Sequence, residues 1–222
     1  MYIITPCSRP QNLEIMFEYM QFDKIDKWII VHDTKFSKNM PIFDSKHDKI
    51  LELKCAHGTH GIAQRNMGLA HVPPDGLVYF LDDDNIIQPQ FWEHVFDRDS
   101  ITTFDTFYDH NNIKVLVGSK PKRLFIDTCQ IVLPRKYCMP WYSEMPNESQ
   151  SDGTFVENVM KWYGSKHVYV PKTLSGYNVI RNFNALHYAS IHSDVAKVFG
   201  TNVDCIRQHF FTFGYKEHRR TC

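Results

Sequence analysis

The chain has no run of about 18 apolar residues, so it contains no candidate for a membrane-spanning helix. Its opening lacks the basic start and apolar stretch of a secretory signal peptide. Positive charge is in no surplus, because 25 Lys and Arg balance 25 Asp and Glu. That argues against a nucleic-acid partner held by bulk charge, since neutralising phosphates takes a basic excess. The six cysteines (Cys7, Cys55, Cys129, Cys138, Cys205, Cys222) include no CxxC pair, which disfavours a zinc ribbon or a redox dithiol. A domain of this size has no need of disulfides, and the thiols are expected to be reduced. No GxGxxG follows a strand candidate, so a dinucleotide oxidoreductase is disfavoured. With no linker, repeat or low-complexity tract, residues 1–222 read as one soluble domain.

The composition is 43% hydrophobic, 23% charged and 14% aromatic, which is ordinary for a globular fold. Short apolar runs at Tyr2–Ile4, Trp28–Val31, Ile50–Leu53 and Leu77–Leu81 predict strands. Between them, Leu13, Met16, Phe17 and Met20 recur at helical spacing, as do Ile62, Ala63, Met67 and Ala70. Phe91, Trp92, Val95 and Phe96 predict a further helix with Pro89 in its first turn. This alternation implies an α/β fold with a mostly parallel sheet and helices on both faces. The second half is less regular. Strand candidates there are Val115–Val117, Leu124–Ile126, Gln130–Leu133 and Val168–Val170, and an apolar stripe from Phe155 to Tyr163 marks a helix. Residues 34–49 and 136–152 read as loops, the second rich enough in Pro and aromatics to act as a lid.

The strongest signal is Tyr79-Phe80-Leu81-Asp82-Asp83-Asp84-Asn85. Three adjacent carboxylates repel one another, and they stand at the carboxyl end of a buried strand, where open α/β sheets bind ligands. If strand geometry continues, Asp82 and Asp84 point to one side, roughly 6.6 Å apart, and Asp83 points away. A hard divalent cation would relieve the repulsion and keep positions free for phosphate oxygens.

An apolar strand ending in Asp-Asp-Asp-Asn, preceded by a helix carrying Gln64-Arg65-Asn66, resembles the GT-A glycosyltransferases. The stretches from Gly61 to Ala70 and from Gly76 to Asn85, with the opening Ile3-Ile4-Thr5-Pro6-Cys7-Ser8-Arg9-Pro10, are similar to the animal glucuronyltransferases in particular. The likeness covers about the first hundred residues. It implies a GT-A (Rossmann-like) fold, with residues 1–105 as nucleotide-binding half and a smaller acceptor-side half at 106–222. It further implies a manganese- or magnesium-dependent hexosyltransferase that moves a sugar from a nucleotide sugar, UDP-linked by this reading, to a glycan or glycoprotein.

Carried residue by residue, the resemblance places Thr5, Pro6, Cys7 and Arg9 along the uridine pocket, and Asp33 at the base or ribose. It places Arg65 near the base or diphosphate, Asp82 at the ribose, Asp84 on the metal and Asp83 as a support or sugar contact. Asp82 is also a candidate metal ligand, and His187 a metal or diphosphate contact, with His192 behind it. Asp33 suits a turn equally well, and Arg65 an exposed helix face. An inverting enzyme needs a carboxylate to deprotonate the acceptor. Asp152 is the first candidate, although it equally suits a helix N-cap; Glu148 is second and Glu157 third. Asp127 and Gln130 are candidates for the floor of the sugar site. Trp141 and Tyr142 either stack on an acceptor ring or cover the core. His57 and His60 make only a superficial zinc pair, since no partners stand nearby.

A nucleotidyltransferase would need a glycine-rich loop after the first strand, where this chain has Thr-Pro-Cys-Ser-Arg-Pro. A metal-dependent phosphohydrolase and a non-catalytic glycan-binding module remain as alternatives. A cytoplasmic enzyme is expected, with a virus-encoded relative acting on capsid protein among the candidates, in preference to a trimmed Golgi luminal domain.

Overall fold

The computed structural model describes residues 1–36, 42–43, 47–56, 59–107, 115–141, 151–215, 217 and 219, and in it the apolar runs join into one sheet. The strands are β1 (Tyr2–Cys7), β2 (Lys27–Asp33), β3 (Ile50–Cys55), β4 (Leu77–Phe80), β5 (Ile86–Ile87), β6 (Ile101–Phe107), β7 (Val115–Leu116), β8 (Ile131–Pro134) and β9 (His167–Gly176). Their order is β3-β2-β1-β4-β8-β6-β9-β5, with β7 paired to β6. The long ladders, through β3, β2, β1 and β4 and between β6 and β9, are parallel. The short ones, β4 with β8, β6 with β8, β5 with β9 and β6 with β7, are antiparallel. The helices are α1 (Leu13–Glu18), α2 (Ile62–Ala70), α3 (Pro89–Glu93), α4 (Ser151–Tyr163), α5 (Val179–Asn182), α6 (Ala185–Ile191), α7 (Ser193–Phe199) and α8 (Val203–His209), which continues into a π turn at Phe210–Gly214.

Both faces of the sheet are covered, which is why its central strands read as continuous apolar runs rather than alternating ones. Ile3, Trp28, Ile30 and Tyr79 pack with α1, α3 and the C-terminal helices through Leu13, Phe91, Val195 and Phe210. Their strand neighbours Ile4, Ile29, Val31, Val78 and Phe80 point to the other face, against Leu69 of α2 and Phe155, Val156 and Val159 of α4. The chain moves outward from β1 to β2 and β3, then returns to lay β4 on the other side of β1. The carboxyl ends of β1 and β4 therefore open into the crevice where the connections diverge.

The secondary structure departs from the sequence expectations in several places. Leu124–Ile126 is no strand: it is a turn with Leu124 at φ 73°. The predicted helix at 91–96 stops at Glu93, and Val95 is exposed. β6, with its buried threonines, and the short helices α5 to α8 were not expected.

Candidate functional site

β4 ends at Phe80, and the acidic triplet does not continue as a strand. Leu81 still donates to Ile4 O of β1, at 3.0 Å, but Asn85 N then turns back to Asp82 O at 3.0 Å. The expected alternation, with Asp82 and Asp84 on one side, is therefore replaced by a tight turn in which Asp83 and Asp84 share Arg9 while Asp82 faces Arg65. All three line a cavity of about 390 Å³ at the carboxyl ends of β1 and β4.

Asp83 is committed to the segment after β1. Its carboxylate accepts from Ser8 N at 2.6 Å, Arg9 N at 2.6 Å, Ser8 Oγ at 3.2 Å and Arg9 Nε at 2.9 Å, and Asn12 Nδ2 donates to its carbonyl at 2.8 Å. This fixes the Ser8–Arg9 turn against the triplet. Asp83 therefore supports this turn while also lining the cavity. Arg9 Nη2 reaches on to Asp84 Oδ2 at 2.8 Å. With its amide oriented to donate, Asn178 Nδ2 lies 2.9 and 3.2 Å from the Asp84 oxygens, and its Oδ1 accepts from the Tyr177 hydroxyl at 3.2 Å. Burial, opposed by Arg9 and reinforced by Asp82 and Asp83, pushes the Asp84 carboxyl up to about 7. Its negative charge is thus incompletely matched.

Arg65 of α2 organises the opposite wall. It is buried, with Nη2 2.6 Å from Asp82 Oδ1 and 3.4 Å from Asp152 Oδ1, and Nη1 donating to His60 O at 2.6 Å. The guanidinium lies over the Trp141 ring, 4.6 Å from its centroid. Gly61, at φ 70°, makes room for it: a Cβ there would stand 2.9 Å from Arg65 Nη1 and 3.0 Å from Pro6 Cβ. Burial opposes the charge on Arg65, but Asp82, Asp152 and Asp127 outweigh it and raise its pKa.

Asp152 lies inside the first turn of α4, which begins at Ser151, so it is not the cap residue. Asp127 lines the same cavity. Burial raises the Asp127 carboxyl well above its usual range, and Asp152 and Asp82 add to the effect. Asp152 is also raised by burial, with Arg65 opposing and Asp82 adding. Burial and mutual repulsion thus hold both carboxyls above the usual carboxylate range.

Pro6, Cys7, Asp33, Phe36, His60, Gly61 and Gln64 also line the cavity. Gln64 Nε2 donates to Asp33 Oδ2 at 3.2 Å, while Gln64 Oε1 is buried with no partner among the described residues. An orphaned acceptor beside a carboxylate is suited to a polar, N–H-bearing ligand.

Of the residues expected from sequence, Pro6, Cys7, Arg9, Asp33, Arg65, Asp82, Asp83, Asp84 and Asp152 are brought together around this cavity. Thr5 is not: it is fully buried and accepts from Trp28 Nε1 at 2.9 Å, as part of the sheet's support. His187 is exposed on α6 and does not line the cavity, because α6 packs inward through Ala185, Tyr188 and Ala189 instead. Gln130 is a buried clamp, accepting from Asp127 N at 3.0 Å and donating to Phe104 O and Leu116 O at 3.1 and 2.9 Å. Trp141 covers the core, stacked on Phe155 at 4.3 Å. Glu148, Tyr142 and His57 lie outside the described residues. The sequence reading missed Gln64, Tyr177, Asn178 and Arg181, which also line the cavity. Arg181 lowers the Asp84 pKa across it.

Among the described residues no three His, Cys, Asp or Glu side chains are grouped to hold a metal. A full protein cage is not required for magnesium or manganese, which often take one or two carboxylates and complete their shell with water and substrate phosphates. Asp84, hard in its chemistry and incompletely neutralised, fits that kind of ion, with Asp82 in the same turn.

No family model matches the chain, and no curated protein matches it. Solved structures match it in shape. Residues 1–349 of S. aureus TarS align with a TM-score of 0.56 at 15% identity, over 97% of this chain and 72% of that one. The same fragment in complex with UDP aligns at 0.54 and 11% identity, over 97% of this chain and 70% of that one. Against a longer S. aureus TarS chain the TM-score is 0.53 at 14% identity, over 94% of this chain, which spans only 43% of that one. The fold is GT-A-like. At such identities the likeness is one of fold alone. In a GT-A-like sheet the crevice between β1 and β4 is the switch point, and that is where the acidic turn stands.

Proposed function

We propose that this chain is a metal-dependent glycosyltransferase that passes a sugar from a nucleotide sugar, UDP-linked on this reading, to a glycan or glycoprotein hydroxyl. The observation that carries the reading is the single cavity in which Asp82 and Asp84 face Arg9, Arg65 and Arg181 at the switch point, with Asp152 on its wall. A nucleoside diphosphate needs cations for its phosphates, and the GT-A-like S. aureus TarS fragment has been solved with UDP and with UDP-GlcNAc. The likeness of the first half to the glucuronyltransferases points the same way.

In this reading Pro6, Cys7 and Asp33 hold the base and ribose, with Gln64 supplying its orphaned oxygen. Arg181 and Arg65 attract the diphosphate, and Asp83 keeps the Ser8–Arg9 turn in register. Asp84 and Asp82 would hold the ion. When bound, it acts as a Lewis acid that stabilises the charge developing on the leaving diphosphate. In an inverting reaction Asp152 Oδ takes the proton from the acceptor hydroxyl as the sugar's anomeric carbon is attacked. Burial, with Asp82 adding and Arg65 opposing, raises its pKa and so its strength as a base. Arg65 keeps this carboxylate turned into the cavity. Glu148 is the second candidate for the base.

Calorimetry with UDP and a panel of UDP-sugars, with and without Mn²⁺, tests the donor side, and a turnover assay tests transfer. Metal-dependent UDP binding with sugar release supports the reading. Absence of binding for every nucleotide sugar in the presence of metal, or release of inorganic phosphate from simple esters, overturns it.

A further inference from the structure

An acceptor must reach Asp152 from outside, and one exposed turn stands beside it. Residues 120–125, Lys-Pro-Lys-Arg-Leu-Phe, lead through Ile126 into Asp127 on the cavity wall. The turn also packs on α4 next to Asp152. A Cβ on Gly153 would stand 2.9 Å from Arg123 Cα and 3.1 Å from Leu124 N, so only glycine admits the approach. Lys122 N donates to Lys120 O at 2.8 Å and Phe125 N to Lys122 O at 3.0 Å, which fixes the turn.

Packing gives no account of what the turn displays. Leu124 sits at φ 73°, a region that leucine avoids. Leu124 is 72% exposed and Phe125 63% exposed, directly after three cations. Lys120, Lys122 and Arg123 are exposed, and none pairs with a carboxylate among the described residues. In a chain whose 25 positive and 25 negative side chains balance, this is a local concentration of positive charge unmatched among the described residues. An aromatic face held in water takes the apolar face of a sugar ring, and the cations beside it take anionic substituents.

We propose that this turn docks the acceptor and that the acceptor is an anionic saccharide. The inference rests on the glycosyltransferase reading and names its acceptor class. A membrane surface is the less favoured occupant, because the turn adjoins the proposed base rather than a remote face.

The test compares the parent chain with a Lys120→Glu, Lys122→Glu, Arg123→Glu variant. Each is titrated with a heparin oligosaccharide, a neutral malto-oligosaccharide of equal length, phosphatidylglycerol vesicles and, separately, UDP. The parent is expected to prefer the heparin oligosaccharide, more weakly as salt is raised. Charge reversal is expected to weaken that binding at least about tenfold, while UDP affinity and melting temperature stay at parental values. Phe125→Ala weakens it with the charges intact. Equal binding of the two oligosaccharides, no loss on charge reversal, or a charge-dependent affinity confined to vesicles overturns the proposal. If the parent binds no UDP or UDP-sugar, the glycosyltransferase reading itself fails, and the acceptor assignment falls with it whatever the saccharide titrations give.

Discussion

Arg65 holds Asp82 at 2.6 Å from a position almost wholly inside the protein. The pair joins α2 to the acidic turn, and the same guanidinium spans Asp152 on α4, His60 O and the Trp141 ring. A planar, multiply donating cation is needed to satisfy partners on four sides. Removing it leaves two half-buried carboxylates, Asp82 and Asp152, without their cation. Arg65→Ala is therefore expected to lower stability by about 3 kcal/mol, and Arg65→Lys to recover only part of it. Urea denaturation of the two variants decides, and parental stability in Arg65→Ala would show that the arginine is dispensable to the fold.

Asp83 offers a sharper separation of support from contact. Replacing it with Ala strips the backbone N–H groups of Ser8 and Arg9 of their shared acceptor and frees the Arg9 side chain. A stability loss of about 2 kcal/mol is expected from the unsatisfied donors. UDP affinity should fall with it, because the turn lining the cavity loses its register. Asp83→Asn keeps one acceptor oxygen and should fall between. Unchanged melting with lost UDP binding would instead make Asp83 a direct ligand contact.

The first half of the fold was legible because its central strands β1, β2 and β4 are buried on both faces and spell themselves as continuous apolar runs. β6 was not, because Ile-Thr-Thr-Phe-Asp-Thr-Phe reads as polar. Two of its three buried threonines satisfy their hydroxyls inside the protein: Thr103 Oγ1 donates to Gly118 O at 2.7 Å and Thr106 Oγ1 to Ser175 O at 2.9 Å. α5 to α8 are too short for helical periodicity to emerge from a window of ordinary length. The acidic triplet announced the site, but its geometry did not follow from strand alternation, because a turn intervenes. Arg181 and Asn178 carry no local motif. They reach the cavity only through the path of the chain after β9, which no spacing reveals.

Asp152 is expected to matter to turnover and not to donor binding. Asp152→Asn preserves size and its place near Arg65 but cannot accept a proton. Sugar transfer should fall by about 10²–10⁴-fold, with UDP affinity within a few-fold of the parent. Glu157, the third candidate for the base, is exposed on the same helix and does not line the cavity, so Glu157→Gln serves as control and should keep parental transfer rates. Steady-state kinetics alongside UDP titration makes the distinction. A comparable loss in donor affinity would reassign Asp152 to the diphosphate.

Asp84 gives a prediction about pH whose sign follows from its environment. Burial and the neighbouring Asp82 and Asp83 raise its carboxyl from the usual 3.8 to about 7 in the folded chain. The folded state therefore holds this proton more tightly than the unfolded state. The stabilising contribution is complete below about pH 3.8 and is lost as pH rises through about 7. Above that, the fold carries a buried negative charge that Arg9 only partly offsets. Asp84→Asn imitates the neutral form at every pH. It should match the parent near pH 4 and exceed it at pH 8 by about 2 kcal/mol, read from urea midpoints in chelator. Mn²⁺ at pH 8 should close the gap by stabilising the parent alone, since only the carboxylate gives the ion a charged ligand. A variant no more stable than the parent at pH 8 in chelator would mean that Arg9 and Asn178 already neutralise Asp84, leaving no unmet charge to draw a cation.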